Sequence, residues 1–172
     1  LGATLAMAIA GPLADRYGRR PILMLTAALF TVSAAGSAWA PNADLLVIAR
    51  VVGGFGVGGA LLIAPMYIAE IAPPEQRGKL VSFNQLNIVI GISVAFFSNY
   101  LILTLGESGS AWTEALWLGE WNWRWMLGLE LVPAVLYFLG LFFVPRSPRW
   151  LIMKGEWEEA RGIMERFTDH EE

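Results

Sequence analysis

Four apolar runs dominate this sequence, at residues 22–38, 45–68, 80–105 and 125–144. A helix needs about 17–25 residues, at 1.5 Å each, to cross a hydrocarbon layer roughly 30 Å thick, and each run falls in or near that range. A fifth run, 1–11, is too short to span and reads as part of a longer helix. Breaks rich in Pro, Gly or charge separate the runs. A soluble helical bundle would need polar faces at helical period, and 25–32 and 88–97 hold too few strongly polar residues to supply them. With 56% hydrophobic and 16% charged residues, the 172-residue chain lies outside the range of ordinary water-soluble domains. The expected fold class is all-α: a polytopic membrane protein, with a membrane bundle over 1–144 and a cytoplasmic amphipathic helical segment over 145–172.

The basic residues fix the orientation. Ten of the twelve gather at every second connection: Arg16, Arg19 and Arg20; then Arg77 and Lys79; then Arg146, Arg149, Lys154, Arg161 and Arg166. The opposite connections, 41–44 and 106–124, carry only Arg124, so the ten face the cytoplasm. The first charge comes only at Asp15, after the apolar start, which is not the pattern of a secretory leader. A net charge of −3 gives no footing for nucleic acid. Without cysteine, and with His170 as the one histidine, neither a metal site nor a disulfide is expected. No cofactor is expected either.

Several local patterns bear on function. Gly54, Gly56 and Gly59 match G-x-G-x-x-G, but they sit inside an apolar run with no strand before them, so close helix packing, with Gly54 and Gly58 one turn apart, is the favoured reading. The outer connection holds Trp112, Trp117, Trp121 and Trp123, followed by Trp125, a pattern expected of an interfacial belt. Trp157, Ala160, Ile163, Met164 and Phe167 recur at helical spacing among charged residues, which predicts an amphipathic helix over 156–167 and a frayed acidic end.

Ionisable groups inside membrane spans are costly, about 2.5–3.5 kcal/mol each at mid-helix on insertion scales, so they need partners or a wet cavity. There are two, Arg50 and Glu130, each about six residues from the outer end of its run and hence at equal depth. Arg50 is long enough to snorkel outward. Glu130 is not, and a desolvated carboxyl is suited to carrying a proton. On the run from Leu80, Gln85, Ile88, Ile92, Phe96 and Asn99 share one face. Amides flanking apolar groups suit a sugar, whose hydroxyls need hydrogen bonds and whose C–H faces need packing; hydrogen bonding between helices would use the same amides.

Four motifs together make the sequence resemble the sugar porter family of the major facilitator superfamily: GPLADRYGRR at 11–20, RVVGGFGVG at 50–58, PMYIAEIAPPEQRGKL at 65–80 and PRSPRWL at 145–151. VSFNQ at 81–85 and RWMLGLELVPA at 124–134 are most like its bacterial proton-coupled members. The resemblance covers the chain and implies helices 2 to 6 of the first of two six-helix halves, so that helix 1 and the C-terminal half would be partners beside the bilayer. It implies a transporter rather than an enzyme, moving a sugar with H+ by alternating access in a bacterial inner membrane; facilitated diffusion and a non-transporting structural subunit are the alternatives. Gln85 would then bind sugar, with Ile88 and Ile92 lining the site and Asn99 on the same stripe. Arg50 would pair with an acid of helix 1, and Glu130 would match an acid of helix 6. Arg19, Arg20, Glu70, Arg77 and Arg149 would form a cytoplasmic gating ion-pair network. The family usually has Glu where this chain has Arg146, so that either another acid, Glu70 or Glu75, compensates or the inward gate is weaker.

Overall fold

The computed structural model describes residues 1–108 and 111–168, and all regular structure among them is helical. The acidic end with His170, and the side chains of Trp112, Arg166 and Phe167, lie outside the described residues. Helix α1 spans Gly2–Tyr17, α2 Arg19–Ala38, α3 Ala43–Ile71 and α4 Arg77–Glu107. A short α5, Ala111–Ala115, lies in the outer connection; α6 (Asn122–Leu129) and α7 (Leu131–Gly140) follow, then α8 (Pro148–Lys154) and α9 (Trp157–Thr168).

Local chemistry sets these boundaries. Asn42 caps α3, its Oδ1 accepting from Leu45 N at 2.9 Å, and Ala72 ends it in an extended conformation ahead of Pro73. The turn between α1 and α2 is made by Gly18, whose φ of 95° disfavours a side chain and whose Cβ would lie 3.3 Å from the Trp150 ring. Helix α8 starts on Ser147 with Pro148 in its first turn and stops on Gly155 at φ 83°.

The run at 125–144 is not one helix, as the sequence reading expects, but α6 and α7, divided at Glu130. Pro133 is the cause: it has no N–H to donate to the Leu129 carbonyl, and its ring crowds that oxygen. Among the described residues three helices, α2, α3 and α4, are each long and apolar enough to cross a membrane. The first run also extends further than expected, through Tyr17.

Helices α1 and α2 lie along opposite sides of α3, and the glycines of α3 make this possible. A Cβ on Gly56 would come within 2.7 Å of the Thr26 carbonyl on α2, and one on Gly58 would collide with the Ala3 backbone on α1. Close packing, and not nucleotide binding, explains GGFGVGGA. The resulting core joins Ala10, Ala14, Ile22, Leu23, Ala27, Ile63 and Leu141. A second cluster, Leu151, Ala160 and Ile163, closes α9 onto α8, while Trp157 and Met164 of the expected apolar face stay exposed. Helix α4 has no buried residue.

Candidate functional site

Arg50 is the eighth residue of α3, and Glu130 follows the eight residues of α6. At 1.5 Å per residue both stand about 11–12 Å from the outer ends of their helices. Arg50 Nη1 donates to Glu130 Oε2 at 3.0 Å. Neutralising each other spares the bundle two unpaired charges. Glu130 stands at the joint between α6 and α7, three residues ahead of Pro133, with helical backbone dihedrals of its own. Arg50 also lines a cavity of about 470 Å³ with Leu1, Gly2, Ala3, Leu46, Val47, Val51 and Gly54. An acid of helix 1 is the partner implied for Arg50 by resemblance; within this chain its partner is Glu130.

The stripe on α4 is divided. Ile88, half-buried, lines a cavity of about 270 Å³ with Asn84, Thr26, Phe30, Gly56 and Tyr137, among others. Gln85 and Ile92 face outward on the open side of α4, as does Phe96, and Asn99 is half-buried nearer the outer end. These residues share a helix face, but Gln85, Ile92 and Asn99 are not among those that line the cavity with Ile88. Asn84, beside the expected stripe, is the polar residue of α4 that reaches the cavity.

At the turn between α1 and α2 Arg19 is buried and saturated. Its Nη2 lies 3.0 Å from Asp15 Oδ1 and 2.9 Å from Glu70 Oε1, its Nε donates to Glu70 Oε1 at 3.1 Å, and its Nη1 donates to the Ala14 carbonyl at 3.0 Å. Ser147 Oγ, itself buried, donates to the other Glu70 oxygen at 2.6 Å and accepts from Trp150 N. Trp150 Nε1 donates to the Asp15 carbonyl at 3.2 Å. Four elements, α1, α2, α3 and α8, are thus joined through Arg19, Glu70, Ser147 and Trp150.

Arg20 takes another role, donating from Nη2 to the Phe142 carbonyl at 2.8 Å and from Nε to that of Leu141, which satisfies the end of α7. Arg77 and Arg149 line a cleft of about 270 Å³ beside Glu70 but form no ion pair among the described residues. Arg146 lies 3.6 Å from Glu159 and 3.9 Å from Glu156. The compensating acids therefore come from the start of α9, not from Glu70, which Arg19 and Ser147 occupy, nor from Glu75. Ser147 is the site residue the sequence reading passes over; Ser-Pro ahead of a basic-apolar run is an N-cap signature that marks it.

At the opposite end of the bundle Arg124 spans two tryptophans, its guanidinium 5.0 Å from the ring centres of both Trp121 and Trp123, and its Nη2 donates to the Ala40 carbonyl at 3.1 Å. Trp117 holds a left-handed φ of 55° and packs against Trp121.

A family model described as "Sugar (and other) transporter" matches residues 1–172. The chain belongs to the sugar transporter family. It is 40% identical over 172 residues to the D-xylose transporter of Levilactobacillus brevis, covering 100% of this chain and 35% of that protein. The D-xylose-proton symporter of Escherichia coli K12 is 39% identical over 97% of this chain and 36% of its own length. The glucose transport protein of Synechocystis is 46% identical over 95% of this chain and 35% of its own. Among solved structures, the partially occluded inward-open conformation of the E. coli xylose transporter XylE superposes with a TM-score of 0.85 at 39% identity, covering 97% of this chain and 42% of that one. A second, the proton:xylose symporter bound to 6-bromo-6-deoxy-D-glucose, gives 0.83 at 40% identity, over 95% of this chain and 37% of its own. The chain therefore spans about a third of the length of these sugar transporters, and corresponds to the N-terminal part of the fold. These relatives are named as transporters, and the chain is membrane-integral as its family is.

Proposed function

We propose that this chain is part of a proton-coupled sugar symporter of a bacterial inner membrane, with 1–144 forming the membrane bundle and 145–172 a cytoplasmic helical segment. The Arg50–Glu130 ion pair carries this reading. It pairs a carboxylate with a cation at matching depth in two apolar helical segments, with both side chains still partly exposed in this chain. Protonating Glu130 removes the attraction and leaves Arg50 free to take another anion, so proton binding and helix arrangement are linked. A neutral sugar would lie against Gln85, Ile88, Ile92 and Asn99, where amides meet its hydroxyls and the isoleucines its C–H faces. Helix 1 and a C-terminal half, which relatives of about three times this length have room for, would complete the site.

On the cytoplasmic side Arg19, Arg20, Glu70, Arg77 and Arg149 would form the gate, with the Arg19–Glu70–Ser147 core as the contact that holds it shut. Both the E. coli and L. brevis relatives are named for D-xylose, which makes a pentose the first substrate to test. The experiment is uptake of radiolabelled sugars by the full-length transporter in vesicles, with and without an inward pH gradient. Gradient-driven accumulation that Glu130→Gln abolishes, while exchange of sugar across the membrane persists, is the expected result. Equilibration alone, indifferent to pH, would make the protein a uniporter.

A further inference from the structure

The link between α7 and α8, residues 141–147, cannot hold its own shape. Pro145 and Pro148 supply no N–H, and each biases the residue before it away from helix, as Ser147 shows with an extended ψ of 122°. Side chains of the bundle hold the link's carbonyls instead. Arg20 of α2 donates to those of Leu141 and Phe142, and Tyr67 of α3 donates its hydroxyl to that of Pro145 at 2.7 Å. Tyr67 is half-buried and packs against the core cluster of Ile63 and Leu141, so the hydroxyl is delivered from a ring that is itself fixed. Donor and acceptor both belong to this chain.

Tyr67 and Glu70 are three residues apart on α3 and hence neighbours on one face of it. They take the Pro145 carbonyl and the Ser147 hydroxyl, which are two residues apart in the link. The helix positions differ by about 4.5 Å in rise and the extended ones by about 6.6 Å, so two pairs of anchors of comparable spacing meet. One contact would be a pivot; two fix both where the link meets α3 and which way it runs. Trp150 adds a bond to the Asp15 carbonyl, but it lies in the first turn of α8 and leaves the chain ahead of Ser147 free to swing. We propose that Tyr67 is a positioning residue: through the Pro145 carbonyl it fixes the path from α7 into α8 and so sets Ser147 against Glu70. Its part in transport rests on the reading of Arg19, Glu70 and Ser147 as the contact that shuts the gate.

The test is a double-mutant cycle on the full-length protein in nanodiscs, read by hydrogen exchange on peptides covering 143–151, where the Trp150 and Leu151 amides donate to Ser147. Tyr67→Phe keeps the ring and removes the hydroxyl. Exchange there rises roughly three- to tenfold, as loss of one neutral hydrogen bond requires, and the middle of α3 is unchanged. Because both contacts seat one segment, their effects do not multiply: in a Glu70→Gln background Tyr67→Phe adds less than about twofold. Exchange indifferent to Tyr67→Phe overturns the proposal. So does a full effect retained beside Glu70→Gln, since Tyr67 would then steady the link without acting on Ser147. Tyr67→Phe also lowers the maximal rate of sugar uptake at least about twofold and leaves sugar affinity, measured by equilibrium binding, within about twofold. Lost affinity would place Tyr67 at the sugar and overturn the positioning role. An unchanged rate beside the expected exchange pattern upholds the positioning role and refutes the gate reading instead, so the two failures are told apart.

Discussion

Replacing Glu70 by Gln tests whether one carboxylate holds the α2, α3 and α8 junction together. The side chain is 6% exposed and that of Arg19 5%, so the pair is buried. Removing one member of a buried pair costs about 3–5 kcal/mol when the other is left uncompensated. Two features reduce that here. Asp15 remains 3.0 Å from Arg19, although its exposed side chain limits its worth to roughly 0.5–1 kcal/mol. Glutamine also keeps one carbonyl acceptor. The net expectation is a loss of about 2–3 kcal/mol in the junction that Glu70 makes with Arg19 of α2 and Ser147 at the start of α8. Local opening of that free energy raises amide exchange by exp(ΔΔG/RT), roughly 30- to 150-fold, at the protected amides of α8. Hydrogen exchange read by mass spectrometry on peptides from α8 measures it, with the middle of α3 as an internal reference that stays unchanged. A rise below threefold at α8 would refute the argument that Glu70 carries the docking; an equal rise in α3 would mean that the pair stabilises the whole bundle instead.

Gly56→Leu should separate α2 from α3, because its Cβ falls 2.7 Å from the Thr26 carbonyl, and fluorescence-detected size exclusion should show loss of folded protein. Arg20→Gln removes the donors to the Leu141 and Phe142 carbonyls, and at about 1–2 kcal/mol for charge-assisted bonds to partly exposed groups, exchange across 141–147 should rise some five- to thirty-fold.

What the sequence conveys well is whatever depends on single residues summed over a window. Apolar runs at 45–68 and 80–105 become α3 and α4 because the transfer free energy of a twenty-residue stretch outweighs local preference. Equal depth of Arg50 and Glu130 could be counted along two helices, since rise per residue is constant. Their contact could not, because it depends on how α3 and α6 are rotated about their axes, and a helix apolar all round gives no signal for rotation. The same uniformity hides which side of α4 is open, so the Gln85 stripe was visible while its division between cavity and outer face was not. The break at Glu130 was different: Pro133 lay in plain view, and its cost to the helix one turn earlier is a local rule.

Charge networks show most sharply where reading by position fails. An arginine at 146 in place of the family's usual glutamate looks like a defect in the gate, to be mended by Glu70 or Glu75. Instead Glu70 accepts the Ser147 hydroxyl, and Arg146 swings to Glu156 and Glu159 on α9. Restoring the usual residue should therefore do harm. In Arg146→Glu three carboxylates would crowd where a cation now sits between two, replacing attraction by repulsion. These groups are about half exposed, so each interaction is worth only a few tenths of a kcal/mol and the total is about 1 kcal/mol. That predicts roughly fivefold faster exchange at the first turn of α9, diminishing as salt is raised, with α3 unaffected. Slower exchange in Arg146→Glu would mean that the acid finds Arg77 or Arg149 across the cleft, and that the usual network forms in this chain once its glutamate is returned.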